Sequence, residues 1–191
     1  MQFTKLIAAA AVACAFSTSA NAALLVSSTG VPANTVADYS EAGLVSFDLE
    51  LMDFSGARLN FVLEEADLAG PLSMNAIIKN MTLLSLPKFN FGLQGISFAS
   101  NGSVTAGFGT IGSVNHTASN AEIKFSHGET TDFYFGNPLG NLGQFDWVLD
   151  TTGMQAGDSF SIVAQVPEPA SLALVLPLLA GLAAARRRQR G

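Results

Sequence analysis

The sequence has one cysteine, Cys14, one tryptophan, Trp147, and two histidines, His116 and His127. A lone thiol closes no intramolecular disulfide, so the fold must rest on its hydrophobic core. No His-Glu-x-x-His, paired-cysteine motif or Gly-x-Ser-x-Gly elbow occurs. The common zinc-hydrolase and serine-hydrolase signatures are therefore missing, and no catalytic residue, metal ligand set or cofactor is expected. Positive charge is scarce where it would matter. Between residues 23 and 165 the only bases are Arg58, Lys79, Lys88 and Lys124, and fourteen acids against these four leave a net charge of −10. Such a surface repels nucleic acid and anionic membrane and argues against the body binding either.

What is present in that body reads as strand. Val45–Leu51 alternates strictly, with Val45, Phe47, Leu49 and Leu51 toward the core and Ser46, Asp48 and Glu50 toward water. Asp53-Phe54-Ser55-Gly56 offers turn chemistry, and Arg58–Leu63 alternates again, so the two runs are expected to form a hairpin. Glu122–Phe125, Asp132–Phe135, Gln144–Leu149 and Ser159–Gln165 continue the theme. In the last two, Phe145, Trp147 and Leu149 share one face, and Phe160, Ile162 and Ala164 share another. Gly-, Asn- and Ser-rich joints separate these runs, among them Asn101-Gly102 and Gly136–Gly143. The expectation is an all-β domain over 23–165, an antiparallel β-sandwich or jelly roll. One stretch, Leu72–Met81, fits a strand but also spaces Met74, Ile77, Ile78 and Met81 as a helix would, and one short helix is allowed there. Twelve of the fourteen phenylalanines lie in the body. Each buried ring contributes roughly 1.5–3 kcal/mol without a polar atom to satisfy.

The remaining functional candidates in the body have plainer readings beside them. His116 and His127 read as surface or loop histidines. The run from His127 to Asp132 gathers two carboxylates near a turn but lacks the Asp-x-Asp-x-Asp-Gly order of a calcium loop. Glu64 and Glu65, if in a strand, would point to opposite faces and cannot act as a facing pair. Asp146 and Asp150 read as solubilising residues on an exposed side. Trp147 is a candidate platform for a sugar ring, but Phe145 and Leu149 beside it favour the core.

Both ends carry addresses. Lys5, the apolar run Leu6–Phe16 and the small polar stretch Ser17–Ala22 follow the order of a secretory signal peptide over 1–22. Cleavage by signal peptidase is expected between Ala22 and Ala23, with Ala20 and Ala22 as the small residues read. Ala11-Val12-Ala13-Cys14 is a poor lipobox alternative. At the other end, Val166-Pro167-Glu168-Pro169 cannot continue a strand, because two prolines remove two backbone donors. Residues 170–185 (ASLALVLPLLAGLAAA) carry no charge. As a helix these 16 residues reach about 24 Å, close to a bilayer core of about 30 Å. Arg186, Arg187, Arg188 and Arg190 follow and would stay cytoplasmic, fixing the body outside the inner membrane.

This tail resembles the PEP-CTERM sorting tails of exported proteins of Gram-negative bacteria. The resemblance covers 166–191: the motif 166–169, a transmembrane helix 170–185 and a basic end 186–191. The same tail is also described as an ice-binding protein C-terminal domain, wording that concerns the tail and not the body. The resemblance implies an exosortase as partner, cleavage near Pro167-Glu168-Pro169, and association with exopolysaccharide or biofilm matrix. It implies no catalytic residue, and bodies in the family are diverse. A non-enzymatic exported surface or matrix protein is therefore expected. A carbohydrate-binding module, calcium-assisted or not, and a hydrolase with a dispersed site are the alternatives.

Overall fold

The computed structural model describes residues 23–29, 34–126 and 132–167. Among them the chain is all-β apart from one 3-10 turn. The strands are β1 (Leu24–Thr29), β2 (Thr35–Asp38), β3 (Leu44–Leu51), β4 (Ala57–Val62), β5 (Leu72–Asn80), β6 (Lys88–Gln94), β7 (Ser97–Ser100), β8 (Val104–Ala106), β9 (Ile111–His116), β10 (Asn120–Phe125), β11 (Asp132–Phe135), β12 (Trp147–Asp150) and β13 (Ser159–Gln165). The 3-10 turn, Glu65–Leu68, sits between β4 and β5. The expected signal and membrane segments lie outside the described residues. No helix among the described residues is long and apolar enough to cross a membrane.

Two sheets face each other. One has six strands in the order β1-β4-β13-β6-β10-β9. The other runs β2-β3-β5-β11-β8, with β12 pairing β5 beside β11 and β7 pairing β12. Alternation decides the layering. Val45, Phe47, Leu49 and Leu51 on β3 are buried, and so are Phe89, Phe91 and Leu93 on β6. Rings from opposite sheets interlock across the middle. Phe47 meets Phe91 at 6.2 Å, Phe89 meets Phe133 at 5.1 Å and Phe91 meets Phe135 at 4.6 Å between centroids. These tilted and edge-on geometries are those that ring quadrupoles favour.

Four local expectations are corrected here. β3 and β4 are not a hairpin. They belong to different sheets, so 52–56 crosses the sandwich and Phe47 faces Phe61 across it at 6.4 Å. The sheets are not wholly antiparallel, because β3 runs parallel to β5 from Leu44↔Ser73 to Leu51↔Asn80. Leu72–Asn80 is strand throughout. Met74, Ala76 and Ile78 face the core, since pairing with β3 on one edge and with β11 and β12 on the other satisfies its backbone. Glu64 and Glu65 lie at the start of the 3-10 turn, where Glu64 is the N-cap.

The 3-10 turn has a structural task. Asp67 is fully buried, and its two carboxylate oxygens accept the backbone N–H groups of Gly43 (3.0 Å) and Glu64 (2.9 Å). This pins the β2–β3 turn, where Gly43 has φ +76°, to the crossing after β4. A second local device shapes the β5–β6 loop. Asn80 Oδ1 accepts from the Thr82 N–H (3.1 Å) and hydroxyl (2.6 Å), and Asn80 Nδ2 donates to the Leu84 carbonyl (2.7 Å). The frame holds Leu83 at φ +61°, a backbone region costing an L-residue with a side chain roughly 1–2 kcal/mol.

Candidate functional site

The tail leaves from the interior of a sheet. β13 lies between β4 and β6, with Ala164 opposite Ala57 and Gln165 opposite Asn90. Phe160, Ile162 and Ala164 are buried, and Val166 continues their side of the strand at 8% exposure. Pro167 has no N–H to donate, so the ladder stops there. Of the sorting residues, Val166 is in the core and Pro167 is half-buried. Glu168, Pro169, Arg186, Arg187, Arg188 and Arg190 lie outside the described residues, as do Ala20 and Ala22. Ala23, the residue after the expected cleavage point, is buried beside β1.

A shallow cleft of about 380 Å³ opens on the outer face of the β3/β5 pair. Strand alternation builds it. With Phe47 and Leu49 inward, β3 presents Leu44, Ser46 and Asp48 outward, and β5 adds Ile77 opposite Asp48. Tyr39, just past β2, donates its N–H to the Ser46 carbonyl at 2.8 Å and is 59% exposed. Glu41 and Leu44 exchange backbone bonds of 2.9 and 2.8 Å and close the turn at the cleft's edge. Pro138 lines the other side.

A polar relay ties these walls together beneath the surface. The Ser46 hydroxyl donates to Asn75 Oδ1 (2.7 Å), and Asn75, only 4% exposed, donates from Nδ2 to Asp146 Oδ1 (3.1 Å). Asp146 also accepts the Asn137 N–H at 2.6 Å. Asn137 Nδ2 in turn donates to the carbonyls of Asn141 and Gln144, so the loop carrying Pro138 is anchored to β5. Asp146 is thus half-buried and bonded, not a solubilising residue. Beside the cleft, Lys79 Nζ lies 3.2 Å from Asp48 and 3.4 Å from Glu50. The Asp48 carboxylate, with Glu50 behind it, raises the Lys79 pKa above 10.5.

The arrangement offers the exposed Tyr39 ring and the Glu41 carboxylate, while Asp48 is paired with Lys79 and the Ser46 hydroxyl donates to Asn75. Carboxylates accept hydroxyl groups and repel phosphate, and an aromatic ring stacks on C–H-rich faces.

Trp147 is not a platform. It is fully buried, stacked on Phe135 at 4.5 Å, and donates its indole N–H to the Ser103 carbonyl at 3.3 Å. Phe145, expected on the same face, is 69% exposed because β12 begins only at Trp147. His116 packs edge-on against Trp147 at 5.6 Å, and no carboxylate or serine hydroxyl hydrogen-bonds it among the described residues. His127 and Glu129 lie outside those residues. Among the described residues no three His, Cys, Asp or Glu side chains group as a metal ion would need.

No family model, curated protein or solved structure matches the chain. The tail pattern and the cleft chemistry are therefore the two independent lines available on function. Sequence reasoning missed the cleft because Tyr39 stands outside any alternating run. The signal was the residue type itself: a tyrosine, in a chain that fills its core with phenylalanine, marks a ring with one wet end.

Proposed function

We propose that this is an exported, non-enzymatic surface or extracellular-matrix protein, sorted by an exosortase through Val166-Pro167-Glu168-Pro169. Signal peptidase releases the N-terminus at Ala23, and residues 170–185 hold the chain in the inner membrane until the tail is processed. The protein then belongs to the cell surface or an exopolysaccharide-containing matrix. The observation that carries this reading is the unbroken order of proline-flanked glutamate, uncharged run and arginine cluster directly after the last strand. The exit geometry supports it. Val166 is buried and Pro167 ends the ladder, so a cut within Pro167-Glu168-Pro169 leaves the core whole.

Expression in a Gram-negative host with and without an exosortase tests the proposal, read by intact mass and terminal sequencing. The N-terminus is expected at Ala23 in both strains, and residues beyond the motif are expected to be lost only where the exosortase is present. An unshortened tail and unchanged location in both strains would remove the sorting claim.

A second reading is favoured by the cleft: the body binds a saccharide there. Tyr39→Ala is expected to weaken glycan binding about tenfold, or 1.4 kcal/mol. Because Tyr39 is exposed, stability should stay within about 0.5 kcal/mol. A glycan array probed with and without chelator checks this. Absence of wild-type binding under both conditions would dispose of the saccharide reading and leave the sorting reading intact.

A further inference from the structure

The registers place several connections at one end of the sandwich. β13 finishes beside the starts of β4 and β6, since Ala164 faces Ala57 and Gln165 faces Asn90. Lys124 faces Lys88 and Phe125 faces Ile111, so β9 also starts there. In the other sheet Leu51 and Asn80 end β3 and β5 side by side, and Ala106 ends β8 beside Phe133. The connections 52–56, 81–87 and 107–110 therefore surround the point where the tail departs.

These connections expose apolar side chains, and Asp53 in 52–56 is their one charged residue. Leu83 is 99% exposed, Leu84 64%, Phe108 63%, Met81 52% and Met52 51%. Neither 81–87 nor 107–110 contains a charged residue, although the body carries a net −10. The Asn80–Thr82 frame keeps Leu83 in a left-handed backbone with its side chain in solvent, although a glycine would fit that conformation without strain.

We propose that this end of the sandwich is a bilayer-facing surface, with Leu83, Leu84, Met81, Met52 and Phe108 meeting the lipid headgroup region before the tail is processed. The proposal rests on the reading of 170–185 as bilayer-inserted. The tether decides the geometry. Pro167 is the last described residue, and Glu168 and Pro169 alone separate it from the uncharged run. Three residues span at most about 10 Å. Strands of seven to nine residues make the sandwich roughly 25–30 Å long, so the tether holds the exit end nearest the membrane. The opposite end, where β13 begins at Ser159 beside Val62, carries the exposed turn residue Ala156, which the tether holds away from lipid. In this orientation the folded body holds Pro167-Glu168-Pro169 at the membrane surface, within reach of a membrane-embedded enzyme.

The test uses the full chain with Cys14→Ser, so that an introduced cysteine is unique. Leu83→Cys, Leu84→Cys or Ala156→Cys carries an environment-sensitive fluorophore. Each protein is reconstituted into phosphatidylethanolamine/phosphatidylglycerol vesicles, with and without headgroup-proximal doxyl lipid. Flotation with the vesicles, compared with a chain ending at Pro169, reports insertion of the tail separately. Labels at 83 and 84 are expected to brighten several-fold and to be quenched by the doxyl lipid, while the label at 156 stays aqueous. If the chain floats but 83 and 84 remain aqueous, or 156 is quenched equally, the surface proposal is overturned and the tail reading survives. A chain that does not float overturns the tail reading and the surface proposal with it.

Discussion

Trp147→Ala is expected to destabilise the sandwich by about 3–5 kcal/mol and to lower its melting temperature by roughly 10–20 °C. The indole is fully buried and bounded on every side by named groups. Phe135 stacks on it at 4.5 Å, Phe98 lies at 4.9 Å and His116 meets its edge at 5.6 Å. Its N–H donates to the Ser103 carbonyl, which also accepts the Gly136 N–H at 2.8 Å. Truncation removes the largest side chain of the core and leaves a cavity between two sheets that cannot close on it. Urea denaturation followed by far-ultraviolet circular dichroism measures the loss. A destabilisation below about 1 kcal/mol would mean that the ring is not packed as described. The same variant separates core from site, because the glycan binding proposed for the Tyr39 cleft should survive in whatever fraction remains folded.

Gly102→Ala should be nearly as severe, at about 3 kcal/mol or more. A Cβ at this position would lie 2.5 Å from the Phe145 carbonyl oxygen, 2.6 Å from the Asp146 carbonyl carbon and 2.6 Å from the Trp147 nitrogen. All three are backbone atoms, so no side chain can turn aside. The segment that must move is the one that donates the Phe145 N–H to the Ser103 hydroxyl (3.0 Å) and sets Trp147 in the core. Gly140→Ala is the contrast. Gly140 has φ +65° but open space around it, so only backbone strain of about 1 kcal/mol is expected. Melting temperatures of the two variants compare the effects directly. A Gly102→Ala protein that melts within about 2 °C of the parent would contradict the close approach of 102 to 145–147.

Much of the strand content was legible because alternation is local. The faces of β3, β10 and β13 follow from which side chains are apolar, and the burial of Phe47, Ile123 and Ile162 agrees with them. Partnering was not legible. Val45–Leu51 and Arg58–Leu63 are separated by good turn residues, yet 52–56 carries the chain between sheets. A turn signal says that the chain reverses and not which edge it joins. Leu72–Asn80 could be read with either period because the adjacent Ile77 and Ile78 break its alternation and fall at helical spacing from Met74. The cleft was invisible for a similar reason. Its residues come from 39–48, 77 and 138, and only the parallel pairing of β3 with β5 and the anchored loop over them bring these together.

The sequence by itself determined the all-β character of the body, its dependence on buried phenylalanine without disulfides, its acidity, and the address-like order of both ends. These follow from composition, local periodicity and covalent order, none of which needs a partner strand. Tertiary structure alone decided the strand order and the exposure of Phe145, Tyr39 and Leu83. It also decided that the tail departs among apolar loops. Each of these depends on which distant segment lies across the core or at the same end, and the free energy of that choice is shared over the whole packed interior.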